Sequence, residues 1–163
     1  MADGAPAPGP GGGFDPQKLK GQLGTPGLIA IGSAAGVLVS CVLPWWSITT
    51  TFGTSFGIGG SFNGFNIWHG NVSFLAAAAA AVAAILVAMG KAGPNEKNMC
   101  FGVMGAGAIV ALVTLLFFFT VGGGSTGAVT AGKSIGCYLN FIAGGGLAYG
   151  GFLMTKAKGH LGK

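Results

Sequence analysis

Residues 71–90 read NVSFLAAAAAAVAAILVAMG. This segment contains no Asp, Glu, Lys or Arg, and it shows no polar face at helical period. Its length is close to the ~20 residues that an α-helix needs to cross ~30 Å of hydrocarbon. Because backbone amides in lipid must hydrogen-bond within their own segment, a run of this kind predicts a transmembrane helix.

Three further segments have the same character, and none of them carries a charged residue. They cover about residues 27–46 (GLIAIGSAAGVLVSCVLPWW), 99–121 (MCFGVMGAGAIVALVTLLFFFTV) and 135–154 (IGCYLNFIAGGGLAYGGFLM). The whole chain has 7% charged residues, whereas a soluble domain carries about 25%. We therefore predict an all-α integral membrane protein in which four transmembrane helices form a bundle.

The basic residues indicate orientation rather than a nucleic-acid partner. All eight are lysines, and the chain lacks arginine, the side chain that best recognises base edges and phosphates. With four crossings, every lysine except Lys133 falls on one side of the bilayer. The positive-inside rule then places both termini in the cytoplasm. Together with the absence of a signal-peptide pattern, this favours a bacterial cytoplasmic membrane.

The chain divides into three parts. Residues 1–26 form a Gly/Pro-rich cytoplasmic tail whose first half is expected to be disordered on its own. Residues 27–155 form the membrane domain, and residues 156–163 form a short basic cytoplasmic tail. Within the first tail, FDPQKLKGQL permits either a short interfacial turn or a flexible linker.

Small residues spaced four apart allow transmembrane helices to approach closely. Asn140 is the clearest polar residue within a predicted span, and its amide needs a partner such as the hydroxyl of Ser40 or Thr114. We interpret Asn140 as a packing clamp rather than as a substrate-binding group. The predicted helix-packing residues are Gly32, Gly36, Ser40, Gly107, Ala111, Asn140, Gly146 and Gly150.

The longest loop reads WWSITTTFGTSFGIGGSFNGFNIW over residues 45–68 and contains no charged residue. Thr, Ile and Phe favour strands, whereas GIGG and NG favour turns. We predict a small β-hairpin or a two- to three-stranded flap on the extracytoplasmic face. Charged residues normally prevent exposed strands from associating with one another, and this loop has none. The loop should therefore pack onto its own bundle or contact another protein. The predicted residues are an aromatic belt of Trp45, Trp46 and Trp68 and an assembly surface of Phe52, Phe56, Phe62 and Phe65.

No catalytic set is visible in the sequence. The carboxylates Asp3, Asp15 and Glu96 fall in tail or loop positions, which excludes paired acid–base catalysis. His69 is a weak candidate ligand for a metal, a haem or a pigment, and the more frequent role of such a residue is an interfacial hydrogen bond. We expect no cofactor and no metal.

The three cysteines, Cys41, Cys100 and Cys137, form no CxxC pair and each falls within or beside an apolar segment. They are expected to be small buried hydrophobic residues. A disulfide between Cys41 and Cys137 is left open by the sequence.

Four crossings with a larger first outer loop resemble the layout of tetraspan membrane proteins such as claudins. The claudin-type loop combines a tryptophan-rich motif with a cysteine pair, whereas the loop here has three tryptophans and no cysteine. The resemblance implies a tetraspan-like layout and no particular function.

The residues favour a non-enzymatic membrane protein that builds or supports an assembly. It would act as a homo-oligomer, a lattice subunit or an accessory subunit of a larger membrane complex. One alternative is a channel or small-solute permease subunit with a pore between protomers. Another is a pigment- or haem-binding subunit that uses His69. The expected partners are the lipid bilayer and either further copies of the chain or other membrane proteins.

Overall fold

The computed structural model describes residues 16–50, 60–125 and 129–161, with side chains from residue 24 onward. This part of the chain is mostly helical and also contains a small antiparallel sheet. Its long helices are α1 (Pro16–Val42), α2 (Trp68–Ala88), α3 (Glu96–Thr120) and α4 (Ile135–Ala157).

Three helices are long and apolar enough to cross a membrane, over Gly24–Val42, Trp68–Ala88 and Gly93–Thr120. These ranges overlap most of the runs that the sequence identified as the first three spans, but each ends earlier than predicted, at Val42, Ala88 and Thr120 rather than at residues 46, 90 and 121. α4 has a comparable length of 23 residues, but its many glycines, two tyrosines and Asn140 make it less apolar than the others. The structure thus supports a helical protein with three candidate membrane spans.

α1 is interrupted at Gly24, whose φ of +58° is a left-handed value that glycine adopts at low cost. Pro26 follows in the first turn after the break, where a missing backbone N–H leaves no helical bond unmade. The helical structure begins at Pro16, so part of the predicted tail 1–26 is helical. Residues 1–15, the half of the tail expected to be disordered, lie outside the described residues.

The helices form a ring in which each one packs against two neighbours: α1 on α2, α2 on α3, α3 on α4, and α4 back on α1. The interior is lined mainly by alanine and valine, for example Ala34, Val37, Ala80, Val103 and Val110. Such short side chains allow the helix axes to lie close together, which is the packing mode expected where lipid supplies no hydrophobic drive.

The sheet has four strands, β1 (Pro44–Thr50), β2 (Gly60–Asn63), β3 (Gly124–Ser125) and β4 (Val129–Lys133), in the order β2-β1-β4-β3. β1 pairs antiparallel with β4 in the register Trp46 opposite Lys133 through Thr50 opposite Val129. A single residue separates α1 from β1, and a single residue, Ser134, separates β4 from α4. The sheet therefore continues the contact between α1 and α4 beyond the helix ends.

The sheet differs from the predicted flap in two respects. The helix expected to run to residue 46 ends at Val42, and both Trp45 and Trp46 lie in β1. Two of the four strands come from the loop between α3 and α4, for which no strand was predicted. The pairing of β1 with β4 joins segments far apart in sequence, and no local pattern of residues specifies such a contact.

The two ends of the bundle differ in charge. We call the end that bears the strands the sheet end and the opposite end the lysine end. The lysine end carries Lys91, Lys97 and Lys156, and there Lys158 Nζ lies 3.1 Å from Glu96 Oε2. His160 Nε2 lies 3.4 Å from the other oxygen of the same carboxylate. This pairing joins the start of α3 to the end of α4, at an exposed position where such pairs contribute up to about 1 kcal/mol.

Candidate functional site

A buried polar hub joins all four helices. The side-chain amide of Asn140 on α4 donates to Thr114 Oγ1 of α3 at 2.6 Å and to Ser73 Oγ of α2 at 3.1 Å. Its oxygen accepts from Ser40 Oγ of α1 at 2.7 Å. All four side chains are fully buried. The amide thus contacts one hydroxyl on each of the other helices, including both hydroxyls that the sequence suggested as partners.

Each hydroxyl of the hub also donates to a carbonyl of its own helix. Ser73 Oγ bonds His69 O at 2.9 Å, and Thr114 Oγ1 bonds Val110 O at 2.7 Å. Both can therefore donate to the backbone and accept from the amide without conflict. Ser40 has one proton for two acceptors, the Asn140 oxygen and Val37 O at 2.6 Å, so its donation is shared.

An aromatic layer covers the hub on the side of the sheet. The ring of Trp45 is fully buried and packs edge-on against Phe117, with ring centroids 5.3 Å apart. Its Nε1 donates to Ser40 O at 2.8 Å, which occupies a carbonyl in the last turn of α1. Cys137 completes this buried cluster. Through Trp45, which belongs to β1, the layer connects the sheet to the residue Ser40 of the hub.

The tryptophans predicted as an aromatic belt occupy three different environments. Trp45 does not lie at the surface, because its ring packs against Phe117 and its indole nitrogen donates to Ser40 O. Trp46 is partly buried against the same cluster, and its indole nitrogen has no hydrogen-bond partner in the described part of the chain. Trp68 is 58% exposed at the start of α2.

The closest helix contact is between α3 and α4. A Cβ added to Gly107 would clash with the backbone nitrogen of Ala148, and one added to Gly151 would clash with that of Met104. A Cβ on Gly144 would lie 2.9 Å from the backbone nitrogen of Ala111. Gly107 and Ala111 therefore lie at a helix interface, where backbones touch without intervening side chains.

α1 and α4 meet through a second set of small residues. A Cβ on Gly150 would lie 2.7 Å from Ala30 N, and one on Gly146 would lie 2.6 Å from Ser33 Oγ. Gly36 is less tightly placed, since its added Cβ would lie 3.3 Å from Ala143 Cβ. Gly32 is exposed and has no atom within 4 Å of an added Cβ, so it takes no part in the packing among the described helices. Its four-residue spacing from Gly36 places it just outside the contact face.

Three residues of this site were not predicted from the sequence: Ser73, Gly144 and Gly151. Ser73 carries the single side-chain hydroxyl of α2, and that isolation in an alanine-rich helix is a signal that sequence reading can use. Gly144 and Gly151 lie in a helix where glycine also occupies positions 145, 146 and 150. Only the rotation of α4 in the bundle distinguishes the glycines that α3 contacts from those that α1 contacts.

The phenylalanines predicted as an assembly surface are described in part. Phe62 in β2 is 46% exposed and lies beside Trp46, with ring centroids 5.9 Å apart. Phe65 is also exposed and contacts Phe74 of α2 edge-on at 5.3 Å. Phe52 and Phe56 lie outside the described residues. Each of these two rings packs against an aromatic neighbour within the protein and is exposed elsewhere.

His69 is buried at the start of α2. Its ring stacks on Trp68 at 3.9 Å and meets Phe117 edge-on at 5.5 Å, and its Nδ1 has no hydrogen-bond partner among the described residues. The described residues contain no group of three or more His, Cys, Asp or Glu side chains that could hold a metal ion.

All three cysteines are buried as free thiols. Cys41 Sγ lies 3.5 Å from Gly70 O, and Cys137 Sγ lies 3.0 Å from Ser134 O.

No protein-family model matches the chain, and no curated protein is significantly similar to it. An amide and three hydroxyls, with no ionised group among them, hold helices together by hydrogen bonds. Such a hub fixes the rotation and depth of each helix relative to the other three.

Proposed function

We propose that the chain is an integral membrane protein in which α4 also crosses the bilayer, giving four crossings and a four-helix bundle. α4 is about 35 Å long at 1.5 Å per residue, enough for the ~30 Å of hydrocarbon. It carries no charged residue before Lys156. It packs between α1 and α3, both apolar enough to span, and it contributes the central residue of their shared hub.

The proposed orientation places the lysine end, and with it both termini, in the cytoplasm of a bacterial cell. The support is the positive-inside rule together with the location of the described lysines, which all lie at the lysine end except Lys133. Lys133 is the last residue of β4. Its ammonium lies 5.8 Å from the centre of the Phe118 ring.

Labelling of single new cysteines tests this orientation. We expect Ser125→Cys, exposed at the sheet end, to react with a membrane-impermeant maleimide on intact cells. Lys97→Cys, exposed at the lysine end, should react after permeabilisation. The native thiols are buried and should give little background. Labelling of Lys97→Cys but not Ser125→Cys on intact cells would contradict the orientation.

We infer that the protein is a non-enzymatic subunit that assembles with further copies of itself or with other membrane proteins. The observation that carries this proposal is the neutral, aromatic surface of the sheet end. Phe62, Phe65 and Trp68 are exposed there, and Lys133 is the single ionisable residue in the described strands. Soluble surfaces and strand edges normally carry charges that prevent association. A surface without them favours contact with another protein.

The edge strand β2 offers a direct test of assembly. Ser61 is exposed in β2, and we expect Ser61→Lys to weaken assembly at least about tenfold in dissociation constant, since ammonium groups would be brought into a neutral contact. The measurement is the mass distribution of the protein in nanodiscs over a range of protein-to-disc ratios. The control is Asn98→Lys, which adds the same charge at the lysine end and should leave the distribution unchanged.

A wild-type protein that is strictly monomeric in nanodiscs and binds no partner would contradict the assembly function. Flux assays on liposomes separate it from a transport function. A selective conductance that needs the wild-type protein would favour a channel or permease subunit, with a pore between protomers.

A further inference from the structure

The lysine end presents three exposed ammonium groups on three neighbouring helix ends. Lys91 lies just beyond α2, Lys97 lies in the first turn of α3, and Lys156 lies in the last turn of α4. All three side chains are exposed, and none of them forms an ion pair with a described residue. Because α2 packs on α3 and α3 packs on α4, the three charges lie along one continuous side of the bundle.

The carboxylates of the chain do not neutralise this end. Glu96 is the single carboxylate among the described residues, and its two oxygens already face Lys158 and His160. The sequence adds Asp3 and Asp15 in the tail that precedes α1. Seven of the eight lysines adjoin this end in the sequence, against these three carboxylates, which leaves an excess of four positive charges. Anions from outside the chain must balance that excess.

The exposed lysines lie at the depth of lipid headgroups. At 1.5 Å per residue, α3 is about 37 Å long and α4 about 35 Å. Both exceed the ~30 Å of hydrocarbon, so their ends reach the polar layer that extends the bilayer to about 40–45 Å. The 3.1 Å contact between Lys158 and Glu96 holds the end of α4 level with the start of α3. Ala92 is buried in the core, which draws the loop that carries Lys91 to the same level.

The residue type indicates the kind of anion. Every basic residue is a lysine, whose ammonium is a compact charge on a flexible stem, whereas arginine presents a rigid fork that matches one fixed carboxylate or phosphate. Flexible point charges suit anions that have no fixed position relative to the protein. Lipid phosphates are anions of this kind, and each lysine near an anionic leaflet strengthens binding about fivefold.

We propose that Lys91, Lys97 and Lys156 bind the headgroups of anionic phospholipids, so that the lysine end gathers these lipids around the bundle. This inference rests on the proposed membrane insertion, and the proposed orientation makes the cytoplasmic leaflet the source of the lipids. The sheet end offers no equivalent surface among its described residues. Lys133 is the single lysine of its strands, and the ammonium lies 5.8 Å from the centre of the Phe118 ring.

Spin-labelled lipids measure the preference directly. The purified protein is reconstituted into phosphatidylcholine vesicles with a trace of spin-labelled phosphatidylglycerol or spin-labelled phosphatidylcholine, and electron paramagnetic resonance gives the fraction of each label held at the protein surface. We expect the wild type to hold phosphatidylglycerol about fivefold more strongly, the effect of one lysine on each headgroup. In 1 M salt, where the Debye length is about 3 Å, most of this preference should disappear.

Substitutions locate the binding surface. The combined variant Lys91→Gln, Lys97→Gln and Lys156→Gln should lower the preference at least about twofold. It should keep the thermal stability of the wild type, because the three side chains are exposed and unpaired among the described residues. Lys133→Gln is the control at the opposite end and should leave the preference unchanged.

Three results would overturn the proposal: equal binding of both labels by the wild type, a preference that 1 M salt leaves intact, or a preference that falls with Lys133→Gln and not with the combined variant. Equal binding of both labels, together with an acidic protein that the wild type retains and the combined variant loses, would assign the lysines to a protein partner instead. The vesicle measurement does not depend on the direction of insertion. Reversed cysteine labelling on cells would therefore refute the orientation and leave the lipid preference standing.

Discussion

Gly107→Ala should lower the free energy of unfolding by about 2–3 kcal/mol, although it adds a single methyl group. The added Cβ would occupy the space of the Ala148 backbone, which cannot rotate away as a side chain can. The α3–α4 contact must therefore open, and the adjacent contacts of Gly144 and Gly151 would loosen with it. Denaturation in mixed micelles, followed by tryptophan fluorescence, measures the effect.

Two matched controls separate the clash at Gly107 from the general effect of replacing glycine by alanine in a helix. Gly32→Ala on α1 and Gly102→Ala on α3 each place the methyl group in open space on an exposed helix face. Both should raise the free energy of unfolding by about 0.5–1 kcal/mol, as expected when alanine replaces glycine in a helix. If Gly107→Ala and Gly32→Ala changed stability in the same direction, the described packing of α3 against α4 would be incorrect.

Asn140→Leu is the second large expected effect, with a loss of about 2 kcal/mol. The variant removes three interhelical hydrogen bonds that average about 0.6 kcal/mol each. The loss should be no larger, because Ser40, Ser73 and Thr114 keep their bonds to backbone carbonyls and no buried hydroxyl is left unpaired. Asn140→Ala should cost about 1–2 kcal/mol more, since it also leaves a cavity.

A double-mutant cycle separates the hub from general packing. Ser73→Ala alone should cost about 0.6 kcal/mol, and it should cost close to nothing in the Asn140→Leu background, because the amide that it serves has gone. Independent, additive effects of the two substitutions would show that the amide and the Ser73 hydroxyl do not interact, contrary to the described bond. Both variants are measured by the same micelle denaturation.

The sequence predicted the helices well because they depend on composition over a long window. Charge-free runs bounded by lysine, proline and glycine located the three candidate spans, and α4 begins at the predicted residue 135 and ends three residues beyond its predicted apolar segment. The end of α1 was placed too late. Hydrophobicity continues through Trp45 and Trp46, and only the fold shows that the chain has already turned into a strand there.

The site was harder to predict because it depends on helix rotation. The four-residue spacing of small residues selected both Gly32 and Gly107, yet one faces outward and the other touches a backbone. The polarity of Asn140 identified it as the central group, whereas its third partner, Ser73, required knowledge of which helix faces α4. The strands β3 and β4 depend on pairing between distant segments, for which the residues themselves give no local signal.

The hub that joins the helices consists of an amide and three alcohols. None of these groups gains or loses a proton between about pH 4 and pH 9, and none attracts counterions. Acidification and changes of ionic strength act on exposed contacts such as that of Glu96 with Lys158, which lie at the rim of the bundle. The hub is therefore insensitive to pH and to ionic strength over this range, so the packing of the four helices should stay the same when the surrounding solution changes.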